Sequence, residues 1–231
     1  MKLIVPTSLS DITISNFQKY QQVMAAEDIT DDIAKLAMVT IFCNLTLAES
    51  RTIATKDINE IASQIKTVLE FRPVFTQRFT LDGVEYGFIP NLDQMSAGEY
   101  IDLDALFMDE ELICDAMAIL YRPILKSKGH LYTIQPYDEK YLSEIEKHKD
   151  VMQNASLDVV LGAKVFFYTL SNELLTDMIR YLSSPKGKES VTQVDSTLNG
   201  DGINPSIRYL TAMSMTLKEQ LNSLYIPSLL S

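Results

Sequence analysis

Residues 76–89 read TQRFTLDGVEYGFI, and they break the helical pattern that precedes them. Phe79 and Leu81 alternate with polar residues up to Asp82-Gly83, and Val84, Tyr86 and Phe88 alternate after it. A period of two centred on Asp-Gly predicts a two-residue hairpin, because both turn positions need positive φ. Pro90 has no N–H to give a ladder, so it ends the second strand or confines it to an edge. This stretch makes the chain mainly α with an α+β component, where the rest alone would read as all-helical.

Upstream, three helices are expected. The first covers 13–26 with Ile14, Phe17 and Met24 on one side. The second covers 31–43 behind an N-cap at Thr30, with Ile33, Leu36, Ala37 and Ile41 facing inward. The third starts at Thr55, places Ile58, Ile61, Ala62, Ile65, Val68 and Leu69 at helical spacing, and stops at Arg72-Pro73, since the residue before proline is pushed out of the α region.

Downstream, Ser96 and Glu99 form a capping box for a helix that turns Tyr100, Leu103, Leu106 and Phe107 inward, with Glu99 and Asp102 outward. A second acidic helix at about 109–121 buries Leu112, Ile113, Ala116, Met117 and Leu120, and ends at Arg122-Pro123. A second hairpin falls near 124–135, around Lys128-Gly129, and a charged helix covers 138–153. Ser156 then caps a long helix to about Leu182. Residues 183–204 have the Gly, Ser and Asn content of a polar linker. Asn204 and Pro205 open a C-terminal amphipathic helix, 205–231, carrying Ile207, Leu210, Leu217, Leu221 and Leu224. The expected organisation is thus a helical domain over 1–182 with hairpins near 76–89 and 124–135, a linker, and a helical arm. That arm either folds back on its own domain or docks in a groove of a neighbour; deleting 205–231 is expected to leave the domain folded and to impair docking.

Of 231 residues, 46% are hydrophobic and 22% charged, which supports a sizeable core and excludes a disordered chain. The two cysteines, Cys43 and Cys114, lie in apolar helical patterns and read as free buried thiols of a reducing compartment. The start, MKLIVPTSLSD, is too short in apolar residues for a signal peptide. The most apolar long segment, 157–182, carries Asp158, Lys164, Glu173, Asp177 and Arg180, so no membrane span is expected.

Charge is the most unusual property. The formal net charge is −11, and Phe79 to Tyr121 holds ten of the 31 acidic residues and none of the 20 lysines and arginines. The remainder is close to balance, at 21 acidic against 20 basic residues. Such a block repels phosphate backbones, so direct nucleic-acid binding is not expected, and a basic protein surface fits better. Glu99, Asp102, Asp109, Glu110 and Asp115, together with the arm's leucines and Ile207, form the candidate interaction surface.

Catalytic and metal signatures are missing from the sequence. His130 and His148 have no ligand at metal spacing, and His148 reads as a surface residue of a charged helix. No Gly-rich phosphate loop or nucleophile elbow occurs. Asp102 and Asp104, two apart on a helix, point to different sides and cannot share a proton. In DSTLNGDGINPS, residues 195–206, Asp195, Thr197, Asn199 and Asp201 match calcium-loop positions, but Ser206 stands where a bidentate glutamate is needed. A turn-rich linker is the better reading. No catalytic residue, metal or cofactor is therefore expected.

LDGVEYGFIPNLDQMSAGEYIDLD at 81–104, MAILYRPI at 117–124, LDVVLGAKVFFYTLSNELL at 157–175 and NGDGI at 199–203 together resemble a group of tailed-bacteriophage morphogenesis proteins. The similarity runs from the N-terminal helices to the linker. It implies a small, largely helical protein of the virion structural module, with no catalytic residue to carry over. One role it implies is a virion subunit, such as a ring or adaptor at the head–tail junction or tail, which forms homo-oligomers and contacts portal, neck or tail proteins. The other is a tail assembly chaperone bound to the tape measure protein. Either places the chain in the host cytoplasm during assembly, and the first places it in the virion.

Overall fold

The computed structural model describes residues 3–92, 95–106 and 111–184, with Thr211, Ser214, Met215, Lys218 and Glu219 beyond them. Thr13 accepts the Asn16 N–H at 3.2 Å to start α1, Ile14–Met24, and Thr30 caps α2, Asp31–Phe42. A single turn, α3 at Leu47–Ser50, follows a capping box of Thr46 and Glu49 that was not anticipated from sequence. The third expected helix is α4, Thr55–Leu69. α2 packs against α1 and α4, with the Tyr20 and Phe42 rings 5.2 Å apart between α1 and α2.

The buried face of α2 differs from the expected one. Met38, Val39 and Phe42 are buried, whereas Ile33 is 47% exposed. The helix is apolar around most of its circumference (31–42 holds eight apolar residues), so spacing alone does not choose a face.

Both hairpins form, and they join. β1, Arg78–Leu81, and β2, Val84–Phe88, meet at a turn where Asp82 and Gly83 have φ of 50° and 79°. β3, Tyr121–Lys128, and β4, Leu131–Ile134, complete a single antiparallel sheet of order β1-β2-β3-β4. Two isolated hairpins would each be marginal in water, and the β2–β3 pairing makes one four-stranded sheet of them. The chain is accordingly mainly α with a small antiparallel sheet.

Between β2 and β3 lie α5, Ala97–Leu106, and α6, Ile113–Leu120. α6 passes directly into β3, so Arg122-Pro123 lies inside the strand where a helix end was expected; Pro123 costs no helix bond there and pairs with Tyr86. The expected single helix over 138–153 is two, α7 at Glu139–Ser143 and α8 at Ile145–Met152, separated at Glu144. α9 runs from Leu157 to Ser183. The N-terminal segment is stitched to its start: Leu157 N–H donates to Ile12 O at 2.7 Å, and Ser10 Oγ donates to Asp158 at 2.7 Å. Gly162 of α9 lies against the Val74 carbonyl, where a Cβ would stand 2.6 Å from the oxygen.

The chain divides into two compact units, residues 1–162 and 163–231. The division falls inside α9. In the second unit Ser214 is buried and donates to Asn172 Oδ1 at 2.6 Å, so the C-terminal region touches the second half of α9. Thr211, Ser214, Met215, Lys218 and Glu219 are helical, and the rest of the helix expected over 205–231 lies outside the described residues.

Candidate interaction surface

In the acidic stretch, α5 and α6 carry Glu99, Asp102 and Asp115 into the protein's own contacts. At the start of α5, Ser96 N–H donates to Glu99 Oε2 at 2.6 Å and Glu99 N–H donates to Ser96 Oγ at 3.2 Å. That capping box was legible in sequence. The outward direction expected for Glu99 was not met. Glu99 is 5% exposed and forms an ion pair with Arg122, itself 4% exposed on β3. The physical reason is the guanidinium: a buried arginine needs a carboxylate, and Glu99 is the one α5 delivers.

Around this pair lies a second tier. The Arg122 guanidinium lies 5.7 Å from the Tyr137 ring centre, and Tyr137 Oη donates to Asp102 Oδ2 at 2.7 Å. Burial, reinforced by the Asp102 bond, pushes the Tyr137 hydroxyl well above its ordinary pKa. Asp115 on α6 pairs with Lys149 on α8 at 3.0 Å, and Lys149 also meets Glu146 at 2.9 Å. These carboxylates, Glu146 first, hold Lys149 above its ordinary pKa. Asp102 and Asp115 are half-buried, so neither stands free for a partner. Asp109, Glu110, Ile207, Leu210, Leu217, Leu221 and Leu224 lie outside the described residues, as do the calcium-like loop and most of the expected linker.

His148 also departs from expectation. It is 9% exposed, its ring stacks on Tyr141 at 4.2 Å between centres, and its Nε2 has no hydrogen-bond partner among the described residues. Burial holds its pKa below the ordinary value. Tyr141 Oη donates to Ala118 O at 2.6 Å, Tyr121 Oη to Thr76 O at 2.7 Å, and Tyr132 Oη to Phe88 O at 2.7 Å. Each tyrosine satisfies a carbonyl, Tyr121 and Tyr141 from within the core and Tyr132 from a half-buried position. No protein-family model, curated protein or solved structure matches this chain.

Chemically, the described groups are arranged for holding elements together. The Cys43 and Cys114 thiols are free and buried, and burial pushes both up to about 11, which leaves them protonated at neutral pH. Among the described residues no group of three or more His, Cys, Asp or Glu is placed to hold a metal ion. No described helix is long and apolar enough to cross a membrane. The exposed groups include apolar side chains, Leu125, Leu131, Ile101, Phe71 and Val74 among them, and, within the acidic stretch, Asp82, Glu111 and Glu85, the last paired with Arg78. Sequence reasoning missed Arg122, Tyr137, Tyr141 and His148. The one usable signal was an arginine directly before proline at the end of an apolar run, where a strand can follow as readily as a stop.

Proposed function

We propose that this chain is a non-enzymatic morphogenesis protein of a tailed bacteriophage, a structural virion subunit such as a ring or adaptor at the head–tail junction or tail. It acts by protein–protein contacts with portal, neck or tail proteins and with copies of itself. The observation that carries this reading is how the titratable groups are used: Glu99 with Arg122, Asp102 with Tyr137, and Asp115 with Lys149 brace α5, β3, α6 and α8 to one another. These pairs hold the elements in one arrangement, and large apolar side chains such as Phe71, Val74, Leu125 and Leu131 are exposed on it. The family-like strings in β2, α5 and α9 supply the phage context.

Quantitative mass spectrometry of purified virions tests it. A structural subunit is present at several copies per particle; its absence from intact particles overturns the assignment. Co-expression with the tape measure protein separates the second role. A stable complex, with the chain missing from finished virions, would move the assignment to a tail assembly chaperone.

A further inference from the structure

Residues 136–152, which carry α7 and α8, are tied down by backbone at their two ends and by side chains between. Just before them, Gln135 N–H donates to Pro123 O on β3 at 2.9 Å. Just after them, Ile14 N–H donates to Ala155 O at 2.9 Å and Ser15 N–H to Gln153 O at 3.1 Å, which fixes the exit to the start of α1. Among the described residues, every backbone hydrogen bond of 136–152 itself lies within 138–155. Side chains make the remaining attachments. Tyr137 Oη donates to Asp102 at 2.7 Å, Tyr141 Oη donates to Ala118 O at 2.6 Å, and Lys149 pairs with Asp115 at 3.0 Å. Tyr141, His148 and Met152 are buried. Helices shorter than ~12 residues are marginal alone in water, so α7 and α8 depend on this packing and open together once it is lost.

His148 is the member of that packing that pH can change. Its ring stacks on Tyr141 at 14° between planes, and Tyr141 lies 5.9 Å from Tyr137 between ring centres. A neutral imidazole has one N–H to satisfy and an imidazolium has two, and Nε2 is buried with no partner among the described residues. The helices packed against α8 are α6 and α7. The titratable groups of α6 are Asp115, held by Lys149, and the buried Cys114 thiol. Those of α7 are Tyr141 and the exposed Glu139 and Lys140. On α8, Glu146 pairs with Lys149 and Asp150 is exposed. Burial is the largest influence on His148 and disfavours its charged form; Glu144 favours that form and Lys147 opposes it.

We propose that residues 136–152 are an acid-sensitive flap, in which proton uptake by His148 releases α7 and α8 from α6 while the rest of the first compact unit stays folded. Release takes Tyr141 from the Ala118 carbonyl and breaks the Asp115–Lys149 pair. The device is independent of the assembly role and is tested on the purified chain.

Hydrogen–deuterium exchange of the full chain, read by peptide at about pH 8 and about pH 5 and corrected for intrinsic rates, is the experiment. With an ordinary imidazole pKa of about 6.5 in the open form, acid should speed exchange in 139–152 by up to about 30-fold. Exchange in α4 should change by less than about twofold, since its protection reports the folded remainder. His148→Phe keeps an aromatic ring on Tyr141 and removes the proton, so its 139–152 peptides should exchange alike at both pH values. His130, exposed in the β3–β4 turn, is the only other histidine of the chain and serves as an internal control. NMR of the wild type should show His148 titrating at lower pH than His130. Unchanged protection of 139–152 at low pH, acid loss that persists in His148→Phe, or loss that spreads equally to α4 would each overturn the proposal. So would a His148 that titrates together with His130, a wild-type reading that holds even where the variant fails to fold.

Discussion

Replacing Glu99 by Gln keeps a capping side chain at the third position of α5 but leaves the Arg122 guanidinium buried without its counter-charge. We expect a loss of about 3–5 kcal/mol in urea unfolding. Glu99→Gln combined with Arg122→Met should cost less than the two single changes summed, by at least ~1 kcal/mol; additivity within about 0.5 kcal/mol would show that the pair does not couple. His148 makes a second prediction. Its folded pKa lies below the ordinary 6.5, so the unfolded chain takes up the proton more readily. Its contribution to stability is complete above about pH 6.5 and is lost as pH falls below that value. Thermal melts at about pH 8 and pH 5 should differ less for His148→Phe than for wild type. At this scale the sequence revealed local chemistry and concealed distant partners. The bonds between Ser96 and Glu99 span three residues and were legible, whereas Arg122 is 23 residues on, and its strand becomes Glu99's neighbour only once the sheet has formed.

Elements were legible where pattern and punctuation agreed. Asp82-Gly83 marked its turn because positive φ is specified by residue type, and Thr30 marked α2 because a hydroxyl must meet the free N–H groups. The pairing of β2 with β3 was not legible. It joins residues more than thirty positions apart through backbone bonds, which carry no residue preference. Two glycines test the packing of elements with opposite signs. At Gly98, near the start of α5, a Cβ would meet only Ser96 Oγ at 3.9 Å and Tyr137 at 4.0 Å. Gly98→Ala should therefore stabilise by about 0.4–1 kcal/mol through the unfolded chain's lost freedom. At Gly162 a Cβ would press on the Val74 backbone, which cannot swing aside as a side chain can. Gly162→Ala should cost about 1–3 kcal/mol, read from the denaturation midpoint. Equal midpoints for the two variants would contradict the close approach of α9 to residues 74–75.

On the scale of the whole molecule, the described carboxylates of the 43-residue block divide between in-chain partners and exposed positions. Glu99, Asp102 and Asp115 turn to in-chain partners, while exposed acids and exposed bases alternate along the described chain, Arg51, Lys56, Asp57 and Glu60 among them. The proposed ring or adaptor role requires copies of the chain to assemble. Electron microscopy of the purified full chain at low salt tests this most directly. Class averages should show closed rings or regular assemblies of the chain. A field of dispersed monomers, or two-fold dimers with no further growth, would contradict it.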